Sequence, residues 1–108
     1  MTVNILGTEY TIRFIPEEED DILKDYDGYC DETVKEVVVK KYKRGEPGSK
    51  KNLELQDQKN HRHEIVHAFL FESGLAENSG WAQNEEMVDW IAKQGPKLIK
   101  AWQEAGAL

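Results

Sequence analysis

Apolar residues follow two rhythms along this chain, alternating near the N-terminus and recurring every three to four residues further on. Val3–Leu6 and Tyr10–Ile15 are short β-prone runs joined through Gly7-Thr8, which predicts a hairpin. Tyr10, Ile12 and Phe14 alternate with Thr11 and Arg13, giving one core face and one wet face. Pro16 ends that strand, because it donates no ladder hydrogen bond. Glu17–Asp21 reads as an exposed first helical turn, where acids are favoured. Gly28–Cys30 and Val34–Lys41 predict a second hairpin turning at Asp31-Glu32-Thr33, with Val37-Val38-Val39 strongly β-forming. Lys40, Lys41, Lys43 and Arg44 follow and are expected to charge the end of an edge strand. Gly45–Ser49 is a loop.

A long helix is expected from Leu53 to Ser73, closed by Gly74. Asn78-Ser79 or Asn84 starts the next, which reaches about Gln94. Gly95-Pro96 is expected to break or kink it, leaving Lys97–Glu104 as a short last helix with Leu98, Ile99 and Trp102 inward. Strands first and helices after make the fold class α+β: an N-terminal antiparallel or mixed sheet, then two long helices. No repeat or linker divides the 108 residues, so one domain over 1–108 is expected.

The chemistry concentrates on the first long helix. His63 and His67 lie on one face, about 40° apart, and Glu64 lies about 100° from His63. Two imidazoles at this spacing can grip one zinc ion, and a glutamate beside the ion is placed as a general base toward water. Ile65, Val66, Phe69, Leu70 and Phe71 make the helix apolar nearly all round, as in a core helix. Three polar side chains in one arc of such a helix would be costly to bury without partners, and a metal site in a cleft removes that cost.

Catalytic zinc needs a third protein ligand. Glu77, Glu85, Glu86 and Asp89 are the acids within reach along the chain. On the second helix Glu85 and Asp89 border the arc formed by Val88, Ile91 and Ala92, whereas Glu86 falls beside Lys93 on the wetter side. Glu85 is therefore the better ligand and Glu86 the alternative. Asp89, one turn on, can accept the free ring N–H of a zinc-bound histidine.

Net charge and cysteine usage narrow the rest. A net charge of −7 argues against a nucleic-acid partner. No run approaches the roughly 18 apolar residues of a membrane span, and Met1–Leu6 lacks the features of a signal peptide, so a cytoplasmic setting is expected. Cys30 stands alone, excludes an internal disulfide, and is read as a half-buried strand residue. The acidic run at 17–21 has no calcium-loop geometry.

His63-Glu64-x-x-His67 followed by Asn84-Glu85-x-x-x-Asp89 resembles the gluzincin metallopeptidases, of which thermolysin is the best known. The layout as a whole is similar to short zincin-like proteins of phages and prophages of low-GC Gram-positive bacteria. The resemblance implies a small zincin-like domain in which His63, His67 and Glu85 bind zinc (Zn2+), Glu64 is the general base and Asp89 supports a bound imidazole. It implies a peptide or protein substrate. Such a substrate is expected to lie extended along the strand around Val37–Val39, with Tyr42 and Trp81 as lesser candidates for the cleft wall. Larger gluzincins add a histidine or tyrosine that stabilises the oxyanion. Here His61 is the one histidine left over and is expected at the surface. The alternative is a zinc-binding phage structural or regulatory protein, with a phage protein partner and little or no peptidase activity.

Overall fold

The computed structural model describes all 108 residues. Strands β1 (Thr2–Ile5) and β2 (Thr8–Ile15) form the first hairpin, with Ile5 opposite Thr8. The turn is Leu6-Gly7, one residue earlier than expected, and both have positive φ (51° and 89°). That is the two-residue turn whose twist matches a hairpin, and it requires left-handed backbone at both positions. Strands β3 (Gly28–Asp31) and β4 (Glu36–Lys40) form the second hairpin, again antiparallel.

The two hairpins join through β2 and β4, which run parallel, giving a mixed sheet of order β1-β2-β4-β3. This corrects the place of Val37–Val39. Strand β4 lies inside the sheet, paired on both sides, and its three valines are completely buried. The free edge on that side is β3. Three successive apolar residues fit a strand covered on both faces. Lys40 does not guard an edge either: it is buried and pairs with Glu17 at 3.0 Å.

To reach β3 from β2 the chain must cross β4. It does so through two 3-10 turns, Glu17–Glu19 and Asp21–Lys24. The acidic run is thus a crossing segment tied to the sheet, not the free first turn of a helix. Glu17 meets Lys40, Glu18 meets Lys43 at 3.3 Å, and the Tyr29 hydroxyl donates to Asp20. Leu23 is completely buried within it.

Helix α1 (Leu53–Glu72) begins where Asn52 accepts the Leu55 N–H (3.0 Å) and ends before Gly74, whose φ of +83° needs no Cβ to be avoided. Its sheet-facing stripe is Gln56, Asn60, Glu64 and Ala68, all buried. The polar half of that stripe departs from the apolar wheel expected. Ala68 and Ile65 pack with Ile5, Tyr10, Ile12, Val37 and Val39. Val66, Leu70 and Phe71 pack the other way, against Ala76 of the short helix α2 (Leu75–Asn78), Ala82 and Val88. Glu72 anchors the end of α1 to the sheet, accepting from Thr8, Tyr10 and Lys35.

Helix α3 (Glu85–Glu104) is capped by Asn84, which accepts the Met87 N–H at 2.8 Å. It runs on through Gly95-Pro96 as one helix, which corrects the break, though not the kink, expected there and removes the separate last helix. Pro96 has no N–H for the Ala92 carbonyl one turn back. Arg62 of α1 supplies one instead, its Nε donating to Ala92 O at 2.6 Å. The carbonyl exposed by proline is thus satisfied from the neighbouring helix.

Candidate metal centre

Helices α1 and α3 bring three of the expected residues together. His63 Nε2–H donates to Glu85 Oε2 at 2.9 Å, and His67 Nε2 stands 2.8 Å from Glu85 Oε1. One carboxylate therefore bridges two imidazoles whose ring centres are 5.0 Å apart. The donor atoms of all three lie within 4.8 Å of one another. Glu86 takes no part in this cluster.

Ligands on a tetrahedral zinc at about 2.0–2.1 Å stand roughly 3.3 Å from each other. The nitrogen–oxygen separations fall short of that by about half an ångström, within reach of rotation by the exposed Glu85 side chain. Two imidazoles and one carboxylate with a side open to solvent match the donor set of catalytic rather than structural zinc. Burial lowers the His67 pKa and so favours the neutral ring, the form that ligates. The three residues could therefore hold a metal ion.

Asp89 stands 3.4 Å from His63 Nδ1, on the ring nitrogen facing away from Glu85. Burial works against its charge, but the Lys59 (3.2 Å) and Lys93 (3.3 Å) ammoniums hold its carboxyl below the usual range. Asp89 is thus ionised and placed to fix the orientation of His63.

Glu64 is 6% exposed. It lies against the start of β3 and lines both recesses with Glu85. The β3–β4 register turns Gly28 toward α1, and a Cβ built there would lie 3.1 Å from Glu64 Cγ and 2.7 Å from the Val38 carbonyl oxygen. Glycine is what allows this close approach. Burial first, then the charges of Glu85 and Asp27, push the Glu64 pKa from 4.5 up to about 8; Lys59 alone acts the other way.

Two recesses flank the centre. One, about 290 Å³, is polar and includes Asp25, Asp27, Asn60 and Asp89. The other, about 450 Å³, is more apolar and includes Tyr29, Cys30, Phe71 and Ala82. Tyr26, Gly28, His63, Glu64 and Glu85 line both, so two of the three clustered donors stand between the recesses while His67 lines the second alone.

Tyr42 and Trp81 line neither recess. Tyr42 donates to Asp27 and lies under the Lys40 ammonium, and Trp81 is exposed. His61 packs edge-on against Phe14 and donates Nδ1–H to the Asp57 carbonyl, outside the centre. Burial, reinforced by Glu64, pushes the Cys30 thiol up to about 12, so it is no nucleophile. Tyr26, Asp27, Gly28 and Asn60 are site residues that sequence reasoning missed. Only Asn60, one turn before Glu64 on the same helix face, carried a readable sign.

No helix is long and apolar enough to cross a membrane. No family model, curated protein or solved structure matches this chain.

Proposed function

We propose that this protein is a zinc-dependent peptidase of the zincin-like class, with His63, His67 and Glu85 holding the metal and Glu64 as general base. The observation carrying this reading is the convergence of two Nε2 atoms and a carboxylate within 4.8 Å, beside a second, buried carboxylate. A zinc ion held there would supply Lewis acidity toward the scissile carbonyl and toward water.

Glu64 would take the proton of the attacking water on its carboxylate and return it to the departing amine. Without a cation, burial keeps that proton on Glu64 at neutral pH. Positive charge at the neighbouring donors favours the ionised form, so the base becomes active when the site is loaded. Asp89 holds His63 in register from Nδ1. The open edge of β3 offers backbone partners to an extended peptide, and the two recesses offer room for its side chains.

The competing reading, a zinc-holding structural or regulatory phage protein without turnover, draws support from His61, which is turned toward Phe14 and lends the centre no third imidazole. One experiment separates the two. Zinc content is measured for the wild type, His67→Ala, Glu85→Ala and Glu86→Ala, and cleavage of a denatured protein is followed for the wild type and Glu64→Gln. The peptidase reading expects zinc to be lost in the first two variants only, and cleavage to be lost in Glu64→Gln. Equal cleavage by wild type and Glu64→Gln removes the mechanism. A zinc-loaded wild type that cleaves nothing favours the second reading.

A further inference from the structure

A third recess, about 360 Å³, adjoins the polar one, and Asp27, Lys59 and Asn60 line both. Its charge has the opposite sign. Lys50, Lys59, Arg62 and Lys93 converge on it from the loop before α1, from α1 and from α3, with Asp27 as its one acid. Helix α1 begins here, Leu55 and Gln56 of its first turn lining the wall, and the N-terminal end of a helix adds to the positive sign. The chain as a whole is at −7, so this convergence runs against the rest of its surface.

The fold answers only part of that charge. Lys59 and Lys93 share Asp89, at 3.2 and 3.3 Å. Arg62 donates its Nε–H to the Ala92 carbonyl, while its two terminal nitrogens, on a half-buried side chain, have no acceptor. Lys50 is pinned beside α1 by its backbone N–H, which donates to the buried Gln56 side chain at 2.9 Å, yet its ammonium has no partner. A guanidinium with its fork free, next to a free ammonium, is a donor set for a carboxylate or a phosphate. The adjoining recess selects between these occupants. Asp25, Asp27, Glu64, Glu85 and Asp89 line it, so a polyanion passing from one recess to the other would be repelled. A peptide ending in the basic recess sets its one carboxylate among cations and its neutral amides among the acids.

We infer that the recess formed by Lys50, Lys59, Arg62 and Lys93 holds the free C-terminal carboxylate of a peptide whose preceding residues cross the polar recess to the metal centre. The inference rests on the peptidase reading for its biological sense, and it makes that peptidase one that releases short C-terminal fragments. Its physical content is a binding preference that can be measured without turnover. Asp27 immediately precedes β3, so a peptide paired with that edge and ending in the recess runs antiparallel to β3.

The probes are two N-acetylated peptides of one sequence, ending in a free carboxylate or in an amide, together with inorganic phosphate. Affinities for the whole metal-free chain are measured by calorimetry at low and at moderate salt, so that no zinc can capture the carboxylate. Cleavage by the zinc-loaded chain is followed separately. The free-acid peptide is expected to bind about tenfold more tightly than the amide at low salt, with a margin that narrows as salt rises, and phosphate should bind more weakly than the free-acid peptide. Lys50→Gln should reduce the acid-to-amide ratio about threefold, and Lys50→Gln with Arg62→Gln should bring it to one. Because Lys50 is exposed, the single variant decides the matter even where the double variant fails to fold. Equal affinities for acid and amide, or a ratio unchanged in Lys50→Gln, overturn the subsite whether or not anything is cleaved. Phosphate binding as tight as that of the free-acid peptide makes the recess a site for free anions and also overturns it. Cleavage of acid and amide at equal kcat/KM overturns it while leaving the peptidase intact. Acid-selective binding that Lys50→Gln weakens, with no cleavage, sustains the subsite and counts against the peptidase.

Discussion

Replacing Glu64 by glutamine removes a charge that the ion-free fold holds at a cost. The carboxyl is 6% exposed and has its pKa raised from 4.5 to about 8, mainly by burial. At ~1.4 kcal/mol per tenfold change in proton affinity, that rise amounts to on the order of 5 kcal/mol between the protonated and ionised forms. The folded state binds this proton more tightly than the unfolded chain. Its stabilising effect is therefore complete below about pH 4.5, erodes as pH climbs, and is lost above about pH 8. Glutamine has the same shape and does not titrate. Urea unfolding of metal-free wild type and Glu64→Gln should then differ by about 1 kcal/mol or less at pH 5, with the variant ahead by roughly 3–5 kcal/mol at pH 8.5. Zinc should narrow the gap, because a divalent charge nearby favours the carboxylate. For a domain whose whole stability is about 5–15 kcal/mol the effect is readily measured. Parallel stability profiles from pH 5 to 8.5 would refute the placement of Glu64 against the sheet.

Two packing predictions follow from the same contacts. Gly28→Ala sets a Cβ 2.7 Å from the Val38 carbonyl oxygen, so it should cost about 1–3 kcal/mol in urea unfolding, whereas Gly80→Ala, with nothing within 4 Å, should change stability by less than about 0.5 kcal/mol. Similar losses for both would remove the argument for close approach. Arg62→Met should cost about 1–3 kcal/mol by stranding the Ala92 carbonyl. In a Pro96→Ala background, where a helical N–H is restored, the same change should cost clearly less, and equal costs in a double-mutant cycle would mean that Arg62 acts by packing alone.

What the sequence disclosed was local. The spacing of His63, Glu64 and His67 is a property of one helix, and the choice of Glu85 over Glu86 follows from which arc of the next helix carries Val88 and Ala92. The stop at Gly74 was equally readable, and the cap at Asn84 was one of the two starts the sequence offered, since each depends on neighbours a few residues away. Errors arose where partners are distant in the chain. Lys40 looked like an edge cation because Glu17, its partner, comes from a crossing segment that no periodicity announces. Pro96 looked like a breaker because its compensating donor sits on another helix. Three consecutive valines already signalled a strand covered on both sides, and the cations after them outweighed that sign. Tyr26, Asp27 and Gly28 join the site only through sheet order, which places β3 rather than β4 beside α1's glutamate.

The segment that carries the chain from β2 to β3 has one further implication. Its upstream half is fastened by Glu17, Glu18 and Asp20, while Asp25, Tyr26 and Asp27 line the polar recess and belong to neither helix that supplies the His63, His67 and Glu85 group. The loop wall of the recess and the candidate metal donors are thereby written in separate stretches of sequence. On the peptidase proposal, exchanging those three loop residues would alter what the recess accepts while the imidazoles and their carboxylate stay as they are.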